Sequence, residues 1–307
     1  MVNLREWALP VYTIMMQMSA GSMLVLWVIY TLTLRQYGQD IASKLTKYPI
    51  LIIFVTVATA MVGSHYHLSR PAFSLFAVLN FKSSWLSREV GFTVLFALLV
   101  GTLLLLSHLR PHAVKAQLVA GWGAVTLGVV TVYAMSQVYL LPTQIAWNSI
   151  TTPIAFFCAM TLLGVFGVTI ILLISLYLFT LNKDTDLALI RSVIQRVLYV
   201  SSWAATAIVL IELGNYGYQI MDLFNRGETA HASLDLLLGL YRVLFIIRIV
   251  MLICGVTALA IVTLWQRKSR KPLVRFLAPI YLTFLTVLIS EVLGRFLFYA
   301  VHVRTGI

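Results

Sequence analysis

Two histidines and an arginine lie close together where an apolar run ends, in residues 64–71, SHYHLSRP. The sequence has six histidines in total, so this is a local concentration. Imidazole changes its charge near neutral pH and can take up a proton or accept a hydrogen bond. Because His65 and His67 are two residues apart, they do not share one helix face. We therefore expect one of them to point into a shared site.

Other ionisable and phenolic residues lie inside or at the ends of the long apolar runs. They are Glu89, Glu212, Tyr216, Arg248, Glu291, Arg295, Tyr299 and His302. Ionisable groups are costly in lipid and are a functional hypothesis by default. All of them fall toward the same membrane face once the runs are read as alternating spans. The sequence therefore predicts a polar cluster near that face.

Two of these residues also have a purely structural interpretation. Glu291 and Arg295 are four residues apart, so they lie on one helix face and would neutralise each other. Arg248 has no acidic neighbour on its own predicted helix, so it needs a partner across the bundle, such as Glu212 or Glu291. Either arrangement would make the helices easier to insert without creating a site.

The mixture of His, Glu, Arg and Tyr between apolar helices suits a lipophilic ligand with polar ends, such as a quinol. Quinol oxidation releases two electrons and two protons, and a histidine and a carboxylate are suitable acceptors for the protons. Cys158 and Cys254 lie in apolar runs and do not form a metal-ligand cluster. Haem would need facing histidines, for which only His67 and His302 on the outer side are available. We expect no metal site, so a partner must receive the electrons.

The composition requires a membrane to position these residues. Hydrophobic residues make up 61% of the chain and charged residues 10%, with a mean hydropathy of +0.95. A soluble domain has roughly 25% charged residues. The net charge of +12 then reflects basic residues that flank spans, and not a nucleic-acid surface.

Eight apolar stretches are long enough to cross a bilayer, which needs about 20 residues each. Backbone polar groups must be satisfied internally in lipid, so we predict an all-α bundle of eight transmembrane helices in one domain, residues 1–307. The predicted spans are 8–33, 49–66, 89–108, 115–140, 152–181, 192–222, 237–265 and 273–301.

The distribution of Lys and Arg predicts the orientation. One side collects thirteen of them and the other side six. Because positive residues accumulate in cytoplasmic loops, the richer side is predicted to be cytoplasmic and both termini non-cytoplasmic. The richer set is Arg35, Lys44, Lys47, Arg110, Lys115, Lys183, Arg191, Arg196, Arg267, Lys268, Arg270, Lys271 and Arg275.

Several stretches resemble the membrane anchor subunit of the bacterial anaerobic dimethyl sulfoxide reductase family. HLSRPAFSLFAVLNFKSSWLSREV, residues 67–90, resembles that family's His-Leu-Gly-x-Pro followed by Ser-x-Leu-Ser-x-Glu. EVLGRFLFYAVH, residues 291–302, resembles its Glu-x-x-Gly-Arg-x-x-Phe-Tyr-x-x-His. The resemblance covers nearly the whole chain. Ser69 and Phe73 depart from the family pattern, which usually has Gly and Arg there.

The resemblance implies a haem-free anchor in a bacterial cytoplasmic membrane that oxidises menaquinol for anaerobic respiration. It implies an iron–sulfur subunit that receives the electrons and a molybdopterin subunit that reduces the terminal acceptor. The family's quinol-site histidine corresponds to His67 and its acidic partner to Glu89, with Arg70 nearby and His65 in support. Glu212, Arg248, Glu291, Arg295, Tyr299 and His302 form a supporting polar cluster.

Two alternatives stay open at this point. An eight-span anchor of the polysulfide reductase type would carry out related chemistry in a different family. A secondary transporter would favour broken helices and a site at the bilayer midplane. The off-centre position of the ionisable residues disfavours the transporter.

The orientation gives a direct prediction. A reporter protein that is active only in the cytoplasm, fused after Ile307, should be inactive, because thirteen basic residues hold the opposite side in the cytoplasm. The same reporter inserted near Lys115 should be active. Activity at Ile307 would mean that the number of spans is wrong.

Overall fold

The fold was analysed in a computed structural model of the protein. It describes residues 4–66, 78–181, 186–269 and 271–303, and for residues 4–7, 65 and 66 it describes the backbone alone. The described residues form helices joined by short turns. Eight of the helices are long and apolar enough to cross a membrane, which confirms the predicted all-α, multi-pass class. The helices are α1 Leu4–Tyr37, α2 Gln39–Tyr66, α3 Trp85–Leu109, α4 Val114–Val138, α5 Thr151–Leu181, α6 Leu187–Asn225, α7 Glu228–Asp235, α8 Arg242–Lys268 and α9 Leu277–Ala300.

Two elements differ from the sequence prediction. The second helix begins at Gln39, and Pro49 lies inside it, whereas the sequence placed Pro49 at the start of the span. Its 28 residues extend about 42 Å, longer than the roughly 30 Å hydrocarbon core. The helix therefore continues beyond its apolar part, into a region where polar side chains are favourable.

The predicted seventh span, which was expected to begin at residue 237, is also divided differently. The short helix α7 is followed by one π-helical turn, Leu236–Leu240, and the spanning helix α8 begins only at Arg242. A 3₁₀ turn, Leu273–Phe276, leads into α9. Hydrophobicity alone could not distinguish the apolar π turn from the span that follows it.

Helix α5 forms the centre of the bundle. It is apolar on all sides and buried along most of its length, as expected for a helix surrounded by others. Helices α1, α6 and α9 pack against it, and α1 also packs against α2 and α4. This places α5 between the elements that carry the predicted polar residues.

Helices α1 and α5 approach each other closely at two glycines. A side-chain carbon at Gly21 would overlap the backbone carbonyl of Met160, and one at Gly164 would overlap the backbone of Gly21. Small residues at such crossings let membrane helices make dense van der Waals contact. The crossing fixes the relative position of the two helices.

The connections between helices alternate between the two ends of the bundle. At one end, which we call the basic end, Gln39 donates a hydrogen bond to the carbonyl of Pro111, and Lys44 pairs with Asp186 at 2.6 Å. These bonds join the α1–α2 turn to the α3–α4 turn, and α2 to the start of α6. The opposite end, which we call the site end, includes the end of α2 and the starts of α3 and α8.

The α1–α5 crossing predicts a large effect from one methyl group. Gly21→Ala should lower the stability of the folded protein by about 1 to 3 kcal/mol, because the methyl meets backbone and the helices must separate. Gly63→Ala is the matched control, since a side chain at Gly63 in α2 meets none of the described residues. Thermal unfolding of the purified proteins in one detergent measures the difference. Equal melting temperatures for the two variants would contradict the close crossing.

Candidate functional site

The polar centre of the bundle is built around Arg248, near the start of α8. Its guanidinium Nη2 donates to Oε1 of Glu212 on α6 at 2.9 Å. Glu291 on α9 places Oε2 4.0 Å from the same nitrogen. All three residues are buried. Arg248 thus meets the expected partners from two other helices, and three helices are joined by one charge cluster, which we call the Arg248 cluster.

Neighbouring residues fix the orientation of this guanidinium. The Tyr216 hydroxyl donates to Glu212, and the Tyr216 ring lies 4.5 Å from the guanidinium carbon, a cation–π contact. The Ser290 hydroxyl donates to the backbone carbonyl of Arg248 at 2.9 Å. Gly294 leaves the space that the guanidinium occupies, because a side-chain carbon there would overlap it.

Arg295 does not belong to this cluster, although it lies one turn after Glu291. Its Nη2 donates to Oε1 of Gln17 on α1 at 2.7 Å, and its guanidinium lies 4.0 Å from the ring centre of Phe156. Gln17 in turn donates to the carbonyl of Phe156 at 3.1 Å. Among the described residues, Glu291 and Arg295 form no direct ion pair and each contacts a different helix, although Arg295 still acts electrostatically on Glu291.

A small cavity of about 60 Å³ lies beside the Arg248 cluster, between α5, α6, α8 and α9. Several buried polar atoms near it have no hydrogen-bond partner within the described residues: Glu212 Oε2, Glu291 Oε1, Arg248 Nε, Arg295 Nε and Thr151 Oγ1. Buried polar groups need partners, and a cavity of this volume has room for a few water molecules. The arrangement can therefore hold water next to the carboxylate of Glu291 and the guanidinium of Arg248.

Glu89 is in the second turn of α3 and is also buried, at 7% exposure. Its carboxylate interacts with the phenol of Tyr12 on α1. The Tyr12 hydroxyl is 3.1 Å from the hydroxyl of Thr93, one turn further along α3. The buried carboxylate thus has the Tyr12 hydroxyl as its neighbour at the site end, and it can accept or release a proton there.

A layer of aromatic residues lies between Glu89 and Arg295. The hydroxyls of Tyr139 and Tyr299 are 2.6 Å apart, and Tyr299 interacts electrostatically with both Arg295 and Glu89. His302 stacks on Trp147 at 4.7 Å between ring centres. The polar residues therefore form a band across the bundle at the site end, from Glu89 to the Arg248 cluster.

The structure brings together Glu89, Arg295 and Tyr299 in one region and Glu212, Arg248 and Glu291 in another. His302 lies at the outer edge of the aromatic layer. His67 and Arg70 lie outside the described residues. His65 is in the last turn of α2, where only the backbone is described.

Sequence reasoning missed four residues that complete the site: Tyr12, Gln17, Tyr139 and Gly294. Gln17 gave a signal, because it is the single amide side chain in the first predicted span, within MMQMS. Tyr139 and Tyr12 could not be separated from ordinary interfacial tyrosines. Gly294 is the glycine of the Glu-x-x-Gly-Arg pattern, but its role depends on the position of a side chain from another helix, which the pattern does not give.

The Arg248 cluster predicts that Gly294→Ala is harmful. The methyl would displace the guanidinium from Glu212 and leave buried charges unpaired, which costs roughly 3 to 5 kcal/mol. Gly217→Ala on α6 is the control, because no atom that the structure describes lies within contact of a side chain there. The yield of folded, monodisperse protein after extraction in detergent measures the effect. A Gly294→Ala yield equal to that of the control would contradict the packing.

Comparison with known proteins gives one family. The family model for the DMSO reductase anchor subunit (DmsC) matches residues 1–301. The protein is 24% identical over 308 residues to one chain of the anaerobic dimethyl sulfoxide reductase of Haemophilus influenzae, covering 99% of this sequence and 97% of that one. It is 26% identical over 311 residues to the protein of the same name from Escherichia coli, covering 98% and 96%. Because the match extends over nearly the whole length, the protein belongs to the DMSO reductase anchor subunit family.

Proposed function

We propose that this protein is the haem-free membrane anchor of a dimethyl sulfoxide reductase-type complex in a bacterial cytoplasmic membrane, where it binds and oxidises menaquinol near the non-cytoplasmic face. Two similar proteins are each named as a chain of an anaerobic dimethyl sulfoxide reductase. The eight spanning helices agree with an anchoring role. Family membership also favours this role over a polysulfide reductase-type anchor or a secondary transporter.

The observation that carries the proposal is the buried carboxylate of Glu89 at the site end of α3. A carboxylate buried in a membrane protein is costly, so it indicates a function, and proton transfer is a common one. Glu89 begins the helix that follows the stretch containing His67 and Arg70. His67 enters the proposal from the sequence resemblance, and Arg70 enters it because it lies three residues after His67 in the sequence.

The proposed reaction needs this protein to bind menaquinol and to take up the protons that its oxidation releases. A menaquinol hydroxyl donates a hydrogen bond to His67, which takes the first proton, and Arg70 binds the oxygen that is left with negative charge. Glu89 accepts the proton from His67 and passes it toward the non-cytoplasmic surface. The two electrons leave to the iron–sulfur subunit, and the molybdopterin subunit uses them to reduce the terminal acceptor. The products on the membrane side are menaquinone and two protons.

The Arg248 cluster has a supporting role in this proposal. Two carboxylates share one guanidinium, and one of them, Glu291, borders a cavity with room for water, so the cluster can take up a proton without leaving an isolated charge. Tyr139 and Tyr299 lie between it and Glu89. We propose that the cluster accepts the second proton and that His302 and His65 help to shape the site.

This mechanism predicts selective losses. His67→Ala and Glu89→Gln should each lower quinol-dependent turnover by roughly 10²-fold, the contribution typical of a general base. Turnover with an artificial soluble electron donor, which bypasses the membrane site, should survive in both variants. The measurement compares the two donors in the purified complex.

The matched controls are His65→Ala and Glu228→Gln. The first removes the neighbouring histidine, and the second changes an exposed carboxylate on α7. Both should retain most quinol-dependent turnover. If His67→Ala keeps wild-type quinol activity, or if His65→Ala is the damaging change, the assignment of the site is wrong. Analysis of the wild-type complex for molybdenum and iron tests the proposed partners separately.

A further inference from the structure

A long apolar groove runs along the outside of the bundle, away from the site end. Helices α1 and α6 form its walls, and α5 forms its floor through Thr161 and Val165. Its volume is about 710 Å³, within the roughly 300 to 1,000 Å³ of pockets that hold small molecules. Val28, Leu32 and Val200 on its walls are exposed. The groove is therefore open to the lipid side of the bundle.

The groove has the length of one membrane leaflet. On α1 its lining extends from Leu24 to Tyr37, thirteen residues apart. At 1.5 Å per residue this is about 20 Å, against roughly 15 Å for half of a 30 Å hydrocarbon core. An acyl chain in the groove would extend from the membrane interior to the basic end.

Among the described residues, charged side chains line the groove only at the basic end. Arg35 and Gln36 lie in the last turn of α1, and Arg196 lies opposite them on α6. Arg196 Nη1 donates to Oε1 of Gln36 at 3.0 Å, so the two walls meet at this level. Both arginines are exposed, and neither forms an ion pair with any residue that the structure describes. Two guanidinium groups thus converge above an apolar groove.

We propose that this groove binds an anionic phospholipid, with its phosphate held by Arg35 and Arg196 and an acyl chain along α5. Guanidinium groups bind phosphate oxygens well, often in pairs of hydrogen bonds. Basic pockets between membrane helices on the cytoplasmic side are typical binding sites for anionic lipid headgroups. The basic end is the side that the Lys and Arg distribution places in the cytoplasm.

The charge of the groove mouth decides between possible occupants. A quinone would also fill an apolar groove, but it carries no phosphate to match two guanidinium groups. A zwitterionic phospholipid has the phosphate together with a positive headgroup that the arginines would repel. The anionic headgroup is the one that matches the site in both charge and geometry.

The test uses the complex as purified, with its lipid removed by detergent exchange. Thermal unfolding of the anchor is measured with phosphatidylglycerol and with phosphatidylcholine that has the same acyl chains. We expect phosphatidylglycerol to raise the melting temperature by roughly 2 to 4 °C more than phosphatidylcholine, because a ligand that binds the folded state stabilises it. The Arg35→Gln/Arg196→Gln double variant should lose this difference. Arg275→Gln, which changes an exposed arginine of the same end that does not line the groove, should retain it.

Equal shifts for the two lipids in the wild type, or an unchanged difference in the double variant, would overturn the proposal. An equal rise of the melting temperature with inorganic phosphate alone would overturn the proposal, because the site would then bind anions without a lipid. Saturable binding of a menaquinone analogue in the groove would also overturn it, by assigning the groove to quinone. If the double variant does not fold, Val28→Trp fills the groove and leaves both arginines in place. This variant should retain less phosphatidylglycerol than wild type in native mass spectrometry, and equal retention would contradict the proposal.

Discussion

A guanidinium in the apolar interior of a membrane protein is costly unless neighbouring helices supply opposite charge or hydrogen-bond acceptors. Arg248 meets this condition through Glu212 and Glu291, which come from two other helices. The three charges therefore have to assemble together, and each helix is held in register by the other two. The cavity next to Arg248 and the room left by Gly294 both follow from this requirement.

The same constraint explains why polar residues gather at one end. Near the site end, α8 has just begun and α9 is about to finish, so Arg248 and Glu291 lie within a few turns of the membrane surface. Glu89 lies at a similar distance from the start of α3. Away from this end the buried residues that the structure describes are uncharged, and apolar contacts dominate, such as the α1–α5 crossing at Gly21. A rigid apolar bundle can thus present several charged groups at one depth, where protons have a short path to water.

Hydrophobicity was sufficient to predict the eight spanning helices, because apolar stretches of that length have one common outcome in a membrane. Hydrophobicity did not predict where α2 and α8 begin, at Gln39 and after the π turn, since helix ends outside the hydrocarbon region depend on local contacts. The partners of Arg248 were predicted from charge balance alone, as an unpaired charge in the bundle is too costly. The partner of Arg295 was not, because its bond to Gln17 depends on how α1 and α9 meet. Residues such as Tyr12 and Tyr139 acquire a role only from three-dimensional neighbours.

The two ends of the bundle have different proposed ligands, which makes the location of bound quinol decisive. The direct measurement is photolabelling of the complex with a menaquinone analogue that carries a photoreactive group on its ring, followed by peptide mass spectrometry. The account predicts labelled peptides from residues 64–90 and from the end of α9 near Tyr299, with labelling reduced by excess menaquinol. Labelling confined to the groove between α1 and α6, at Leu32 or Val200, would contradict it.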